Sequence, residues 1–162
     1  MGMNLYHFTN LRHLQHIEKE GLSRGDIPIT ETKAANGVWL TTNDEWNRDV
    51  LAWAGKPGLL VLDKTFIRLT VNISDDDPAL ISWKEYAKIN KVPKRWYRRL
   101  DEVGGYQSDN WFLYLGKISS EKIIKKEYRE NLPAEAIEKE LKLFYEKYEV
   151  ITKGTMTYIR EK

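Results

Sequence analysis

Along the first forty residues the apolar positions change period twice. Leu5 to Thr9 alternates as a short strand, with His7 and Thr9 on one face and Tyr6 and Phe8 on the other. From Leu11 the spacing lengthens to three, so that Leu11, Leu14 and Ile17 form one stripe of a helix, with Asn10 as its N-cap and Gly21 at its C′ position. Residues 23–37 are polar, carry Gly25, Pro28 and Gly37, and read as a long loop. Val38–Thr42 is the next strand. The stretch around Trp46 and Trp53 fits neither period. Leu59–Leu62 and Phe66–Ile73 read as strands; in the second, Ile67, Leu69, Val71 and Ile73 alternate with Phe66, Arg68, Thr70 and Asn72, as in a sheet buried on one face.

The acidic turn Asp75–Asp77 runs into Pro78, a good first residue for a helix bearing Leu80, Trp83 and Ala87 on one side. A second helix follows Pro93, with Val92, Trp96, Leu100 and Val103 in its stripe and Gly104-Gly105 at its end. Trp111–Leu115 is a strongly apolar strand and Ile123–Tyr128 another. Pro133 opens a helix whose Ile137, Leu141, Phe144 and Tyr148 share a face, and Met156–Arg160 reads as a closing strand. Strands and helices in this irregular order predict an α+β fold; a doubly wound parallel sheet needs more regular alternation. No linker or repeat divides residues 1–162, which read as a single domain.

Composition narrows the chemistry. The chain has no cysteine, which removes disulfides, thiolate zinc sites and a cysteine nucleophile together. No apolar run approaches the length of a membrane span and the start lacks a signal peptide's apolar region, so the expected location is the cytoplasm. A net charge of +2 neither demands nor excludes a nucleic-acid partner, and only local clusters are informative. No G-x-G-x-x-G follows the first strand, and Gly55-Lys56-Pro57-Gly58 has the wrong glycine spacing for a P-loop. H-E-x-x-H and G-x-S-x-G are absent. His13 and His16 lie off the apolar stripe of their helix with no third ligand beside them, so no metal is expected.

Three segments carry a resemblance. They are Leu5-Tyr6-His7-Phe8-Thr9-Asn10-Leu11 running through a helix to Glu20-Gly21-Leu22; Gly37-Val38-Trp39-Leu40-Thr41-Thr42; and Gly104-Gly105 followed by Ser108-Asp109-Asn110-Trp111-Phe112-Leu113-Tyr114. In this order they resemble ADP-ribosyltransferase-type folds, and are similar to the DNA-targeting toxin transferases, to the tRNA 2′-phosphotransferases and to small bacterial and phage proteins of this length. The resemblance covers residues 4–45 clearly and 65–118 weakly. It implies a split, mainly antiparallel β-sheet core with peripheral helices, and NAD as a substrate with no metal.

The resemblance also assigns roles. His7 and Thr9 match a histidine and a neighbouring hydroxyl that hold the adenosine ribose of NAD. Trp39 and Thr41 share a strand face and match the position that packs on nicotinamide, although Trp replaces the usual Tyr. Asp109 matches the acidic residue, usually Glu, that stabilises the positive charge developing on the ribose as the nicotinamide bond breaks. It is one methylene shorter, and Asn110 stands beside it. Arg68, on the polar side of its strand, is a candidate phosphate ligand. Each has a plainer reading: a structural histidine, core tryptophans, a turn aspartate, a solvated arginine.

Lys94, Arg95, Arg98 and Arg99 interleave with Trp96 and Tyr97, a candidate surface for a macromolecular acceptor, protein or nucleic acid, and otherwise a solvated basic helix face. The expected function is NAD-dependent ADP-ribosyl transfer. A non-catalytic binding or inhibitory protein on the same scaffold is the alternative. RNA 2′-phosphate transfer ranks lowest, since it needs paired arginines and only Arg12 and Arg24 are available near the start.

Overall fold

The computed structural model describes residues 2–23, 25–28, 33–46, 61, 63–130, 132–153 and 156–162. Ten strands and four helices lie among them: β1 (Gly2–Thr9), α1 (Leu11–Glu20), β2 (Asp26–Pro28), β3 (Ala34–Asn36), β4 (Val38–Thr41), β5 (Ile67–Ser74), β6 (Leu80–Ser82), α2 (Trp83–Ile89), α3 (Lys94–Val103), β7 (Trp111–Tyr114), β8 (Ile123–Tyr128), α4 (Ala134–Lys147), β9 (Tyr148–Lys153) and β10 (Met156–Glu161). Six strands form one wholly antiparallel sheet in the order β6-β7-β4-β1-β5-β8. The fold is α+β, a sheet core with peripheral helices.

The sheet is two ladders joined at a narrow seam. β1 and β5 pair continuously from Gly2↔Ser74 to Thr9↔Ile67, and β8 extends that half. β4 pairs with β7 from Val38↔Tyr114 to Thr41↔Trp111, and β6 extends the other. Between the halves only Tyr6↔Thr41 is in register.

Pleat parity sorts the side chains into two cores, because directly paired residues project to the same face. On the first face Leu5, Ile67, Leu69, Val71, Val38 and Leu40 meet Leu11 and Ile17 of α1 and Phe144 of α4. On the second, Leu113 and Trp39 meet Trp83, Tyr86 and Ala87 of α2 and Leu100 of α3. Helix ends follow the local chemistry. The Asn10 side chain accepts from the His13 amide at α1, and α3 closes with paired bonds from the Gly105 amide to the Glu102 carbonyl and from Tyr106 to Asp101.

Gly21 ends α1 at φ 81° and ψ −171°, a region essentially restricted to glycine. A Cβ there would sit 2.2 Å from the Ile118 carbonyl oxygen, on the segment that exchanges backbone bonds with Leu22. Gly21→Ala is therefore expected to lower stability in urea unfolding by more than about 1 kcal/mol, beyond the usual glycine-to-alanine effect.

Three expectations need correction. The loop predicted over 23–37 contains the hairpin β2–β3, pinned by Asn36, whose side chain accepts from the Gly25 amide and donates to the Ser23 carbonyl. Its one long apolar residue, the buried Ile27, is too little for a periodic signal. The helix predicted from Pro78 begins five residues later. Leu80–Ser82 pairs instead along the open edge of β7, and Ser82, not the proline, caps α2 by accepting from the Glu85 amide at 3.2 Å. The closing strand is matched, but its partner β9 starts at Tyr148, where α4 ends rather than continuing. Leu59, Leu60 and Leu62 of the predicted Leu59–Leu62 strand, together with Trp53, lie outside the described residues.

Candidate functional site

His7 stands where the sheet divides. Beyond the Tyr6↔Thr41 pair its imidazole bridges the seam, with Nδ1 2.9 Å from the Trp39 carbonyl oxygen. A carbonyl only accepts, so Nδ1 carries the hydrogen and Nε2 is left as an acceptor. Burial pulls the ring's pKa below its ordinary 6.5, outweighing the opposing pull of the carbonyl, and the imidazole is neutral near pH 7.

Register then distributes the predicted residues. His7 is directly opposite Leu69 and Thr9 opposite Ile67, so both belong to the first face, where Thr9 is buried. Thr41 is opposite Tyr6, so Thr41, and Trp39 two positions away, project to the second face. The sheet lies between the two pairs. Trp39 is also engaged as packing: its ring centroid is 5.1 Å from Trp83 and 5.9 Å from Trp111, in tilted and edge-on contact.

Arg68 shares the second face and is a fastener. Its Nε and Nη2 donate to one oxygen of Glu127, the closer at 2.6 Å, and Nη1 donates to the Asp44 carbonyl. The guanidinium lies 4.7 Å from the Trp46 ring centroid and 5.6 Å from that of Tyr6. Glu127 in turn is held below the ordinary carboxylate range by Arg68 first and Lys125 second. With all three nitrogens engaged within the chain, a phosphate would have to displace Glu127.

Asp109 occupies a short 3₁₀ turn, Ser108–Asn110, ahead of β7. Its neighbour Asn110 clamps the end of β4, accepting from the Thr42 amide at 2.9 Å and the Thr42 hydroxyl at 3.2 Å. Asp109 itself is turned outward, its side chain 84% exposed, with Lys84 of α2 at 3.8 Å. Thr42 is three residues from Trp39, so the clamp is roughly 10 Å along the strand from the His7 contact. Asp109 leans toward α2 and the second face.

A cavity of about 250 Å³ opens on the first face between α1, β5 and β8. Leu14, Ile17 and Leu69 contribute apolar walls, and Glu18 and Lys126, ion-paired at 2.6 Å, stand at its edge. Neither His7 nor Asp109 lines it, although Leu69 is His7's cross-strand neighbour.

No protein-family model, curated protein or solved structure matches this chain.

Among the described residues no group of three or more His, Asp or Glu side chains is placed to hold a metal, and His13 Nε2 lies 2.9 Å from Arg12 Nη2. Arg24, the other arginine considered for phosphate transfer, lies outside the described residues. No helix among them is long and apolar enough to cross a membrane. Lys94, Arg95, Arg98 and Arg99 all lie exposed on α3. Sequence reading passed over Tyr6, Trp46 and Glu127, which hold Arg68. Glu127 had no signal to give, because its role depends on the β5–β8 register.

Proposed function

We propose that the chain is a dinucleotide-binding domain of the ADP-ribosyltransferase type, taking NAD beside His7 and passing its ADP-ribose to a macromolecular acceptor. The supporting observation is the neutral His7 at the seam: one ring nitrogen is fixed on the Trp39 carbonyl and the other is an acceptor suited to a ribose hydroxyl. Thr9 follows two residues on along the same face. Breaking the nicotinamide–ribose bond builds positive charge on the ribose, releases nicotinamide and leaves the sugar open to an acceptor nucleophile. A carboxylate close to that carbon lowers the barrier.

A second reading, a binding module that holds the dinucleotide without turning it over, is favoured by Asp109, whose carboxylate faces water beside Lys84. Calorimetry with NAD, followed by transfer of label from NAD to candidate acceptors, separates the two. His7→Asn is the informative variant, since its amide keeps a donor for the Trp39 carbonyl and removes the Nε2 acceptor. It is expected to weaken NAD binding by roughly fivefold to tenfold with stability little changed, the size of one hydrogen bond. Transfer abolished by Asp109→Ala supports the enzyme; binding without transfer in the native chain supports the module. No heat at millimolar NAD ends both.

A further inference from the structure

β8 is the last strand of the six-stranded sheet, and among the described residues no strand pairs with its outer side. Its inner side is set by the Arg129 amide, which bonds the Phe66 carbonyl at the start of β5 at 2.8 Å. Backbone groups alternate in direction along a strand. Glu127 and Lys125 therefore also turn toward β5, while Lys126 and Tyr128 turn their amides and carbonyls outward. Between Thr70 and Val71 the register shifts, which leaves Ile124 as an extra residue on β8, 56% exposed. Outward backbone groups beside an exposed isoleucine are a template for another extended strand.

The cavity between α1, β5 and β8 runs along this edge. Four consecutive β8 residues, Ile123 to Lys126, wall it, so it reaches the margin of the strand rather than one face alone. Leu14 and Ile17 of α1 close its far side. At about 250 Å³ it is smaller than the roughly 300–1,000 Å³ of sites that enclose a drug-sized molecule, and it suits one apolar side chain. The surrounding charges fix what stands next to that side chain. Lys126 is balanced by Glu18 at 2.6 Å. On the other face Glu127 is shared between Arg68 at 2.6 Å and Lys125 at 2.9 Å, two cations on one carboxylate. Lys125 is the more exposed of the two, at 63%, so the edge carries its excess positive charge there.

We propose that β8 takes an extended peptide segment of a protein partner as an additional strand, with an apolar side chain in the cavity and an acidic one opposite Lys125. Backbone bonds to Lys126 and Tyr128 supply affinity, and the two side chains supply selectivity. Edge lysines otherwise discourage pairing, which restricts this edge to a strand that brings the opposite charge. A second copy is the poorer occupant: two β8 strands paired about Lys125 or about Lys126 set that lysine against itself. This surface is separate from the His7 seam and its test requires no NAD.

The test is fluorescence anisotropy of the full chain with a labelled peptide, Thr-Thr-Ile-Glu-Val. Paired antiparallel to β8, it places its isoleucine opposite Lys126 and its glutamate opposite Lys125. Replacing the isoleucine by alanine should weaken binding about tenfold or more, the worth of one buried aliphatic side chain. N-methylation of the isoleucine, whose amide faces β8, should cost about fivefold or more; N-methylation of the glutamate, whose amide faces away, should change little. Lys125→Glu should weaken binding about threefold and favour the peptide with lysine in place of glutamate. Circular dichroism checks that this variant folds, and the peptide arms need no variant. No binding at millimolar peptide, or equal losses for the two N-methylated peptides, overturns the proposal. Self-association of the full chain in sedimentation, abolished by Lys125→Glu, assigns the edge to a second copy and overturns it too.

Discussion

Trp83→Ala is expected to cost about 3–5 kcal/mol, a large share of the roughly 5–15 kcal/mol by which a domain is stable. Trp83 is fully buried at the head of α2. Its ring lies parallel to Tyr97 at 5.8 Å and near-parallel to Tyr86 at 6.0 Å, with Trp39 tilted against it at 5.1 Å. It therefore ties α2 and α3 to β4, and removing it leaves a large void among rigid rings that cannot collapse into it. The indole Nε1 is buried with no acceptor among the described residues, a donor that gave up water without replacement. That detail distinguishes two substitutions. Trp83→Phe keeps most of the stacked area and discards the unsatisfied donor, so its cost should be well under half that of alanine. Urea denaturation monitored by far-ultraviolet circular dichroism measures both. Equal losses for phenylalanine and alanine would mean that a part of the indole absent from both, such as its Nε1–H, rather than ring area or void, sets the energy.

The parts of this fold that were legible in the sequence are those where a single element carries its own signal. α1 shows its cap, its stripe and its terminal glycine within twelve residues; the cap and stripe stand as read, and Gly21 ends the helix as its C-cap, one position earlier than the C′ place expected. The alternation of Ile67, Leu69, Val71 and Ile73 is that of a strand buried on one face, and β5 is that strand. Legibility fails where one element is defined by another. Leu80–Ser82 has no strand pattern of its own and is extended because the edge of β7 offers it hydrogen bonds. Even so, Ser82-Trp83-Lys84-Glu85 is a capping-box sequence, and it marks where α2 begins. The candidate site shows the same division. That His7 and Thr9 share a face follows from alternation within β1, as it does for Trp39 and Thr41 within β4. Which pair faces which way depends on the register between the strands, and the one pair Tyr6↔Thr41 puts them on opposite sides. Arg68 reads as a solvated or ligand-binding cation until β8 brings Glu127 across from it.

Asp63→Ala should destabilise the fold by about 3 kcal/mol, and the native chain should show that aspartate's contribution disappearing in acid. Residues 63–66 turn the chain into β5, and the turn is held from inside. One Asp63 oxygen accepts the Thr65 amide at 2.9 Å and the Thr65 hydroxyl at 2.7 Å, and the other accepts Nη2 of Arg129 at 2.9 Å. Arg129 Nη1 also donates to the Thr65 hydroxyl, and the Arg129 amide bonds the Phe66 carbonyl at 2.8 Å, locking the end of β8 to the start of β5. Asp63 and Thr65 are buried, so truncating the carboxylate leaves a guanidinium and a hydroxyl facing a void without their acceptor. Burial pushes the Asp63 carboxyl upward, but the Thr65 hydroxyl and amide and the Arg129 guanidinium together hold it below the ordinary 3.8. A carboxyl whose folded pKa is depressed stabilises the fold above its unfolded pKa, and that stabilisation is lost as pH falls through the folded one. The native chain's unfolding free energy should therefore decline below about pH 4, more steeply than that of Asp63→Asn, whose amide keeps an acceptor for Thr65 but does not titrate. Parallel acid limbs for the two proteins would show that Asp63 is not among the groups that set acid stability.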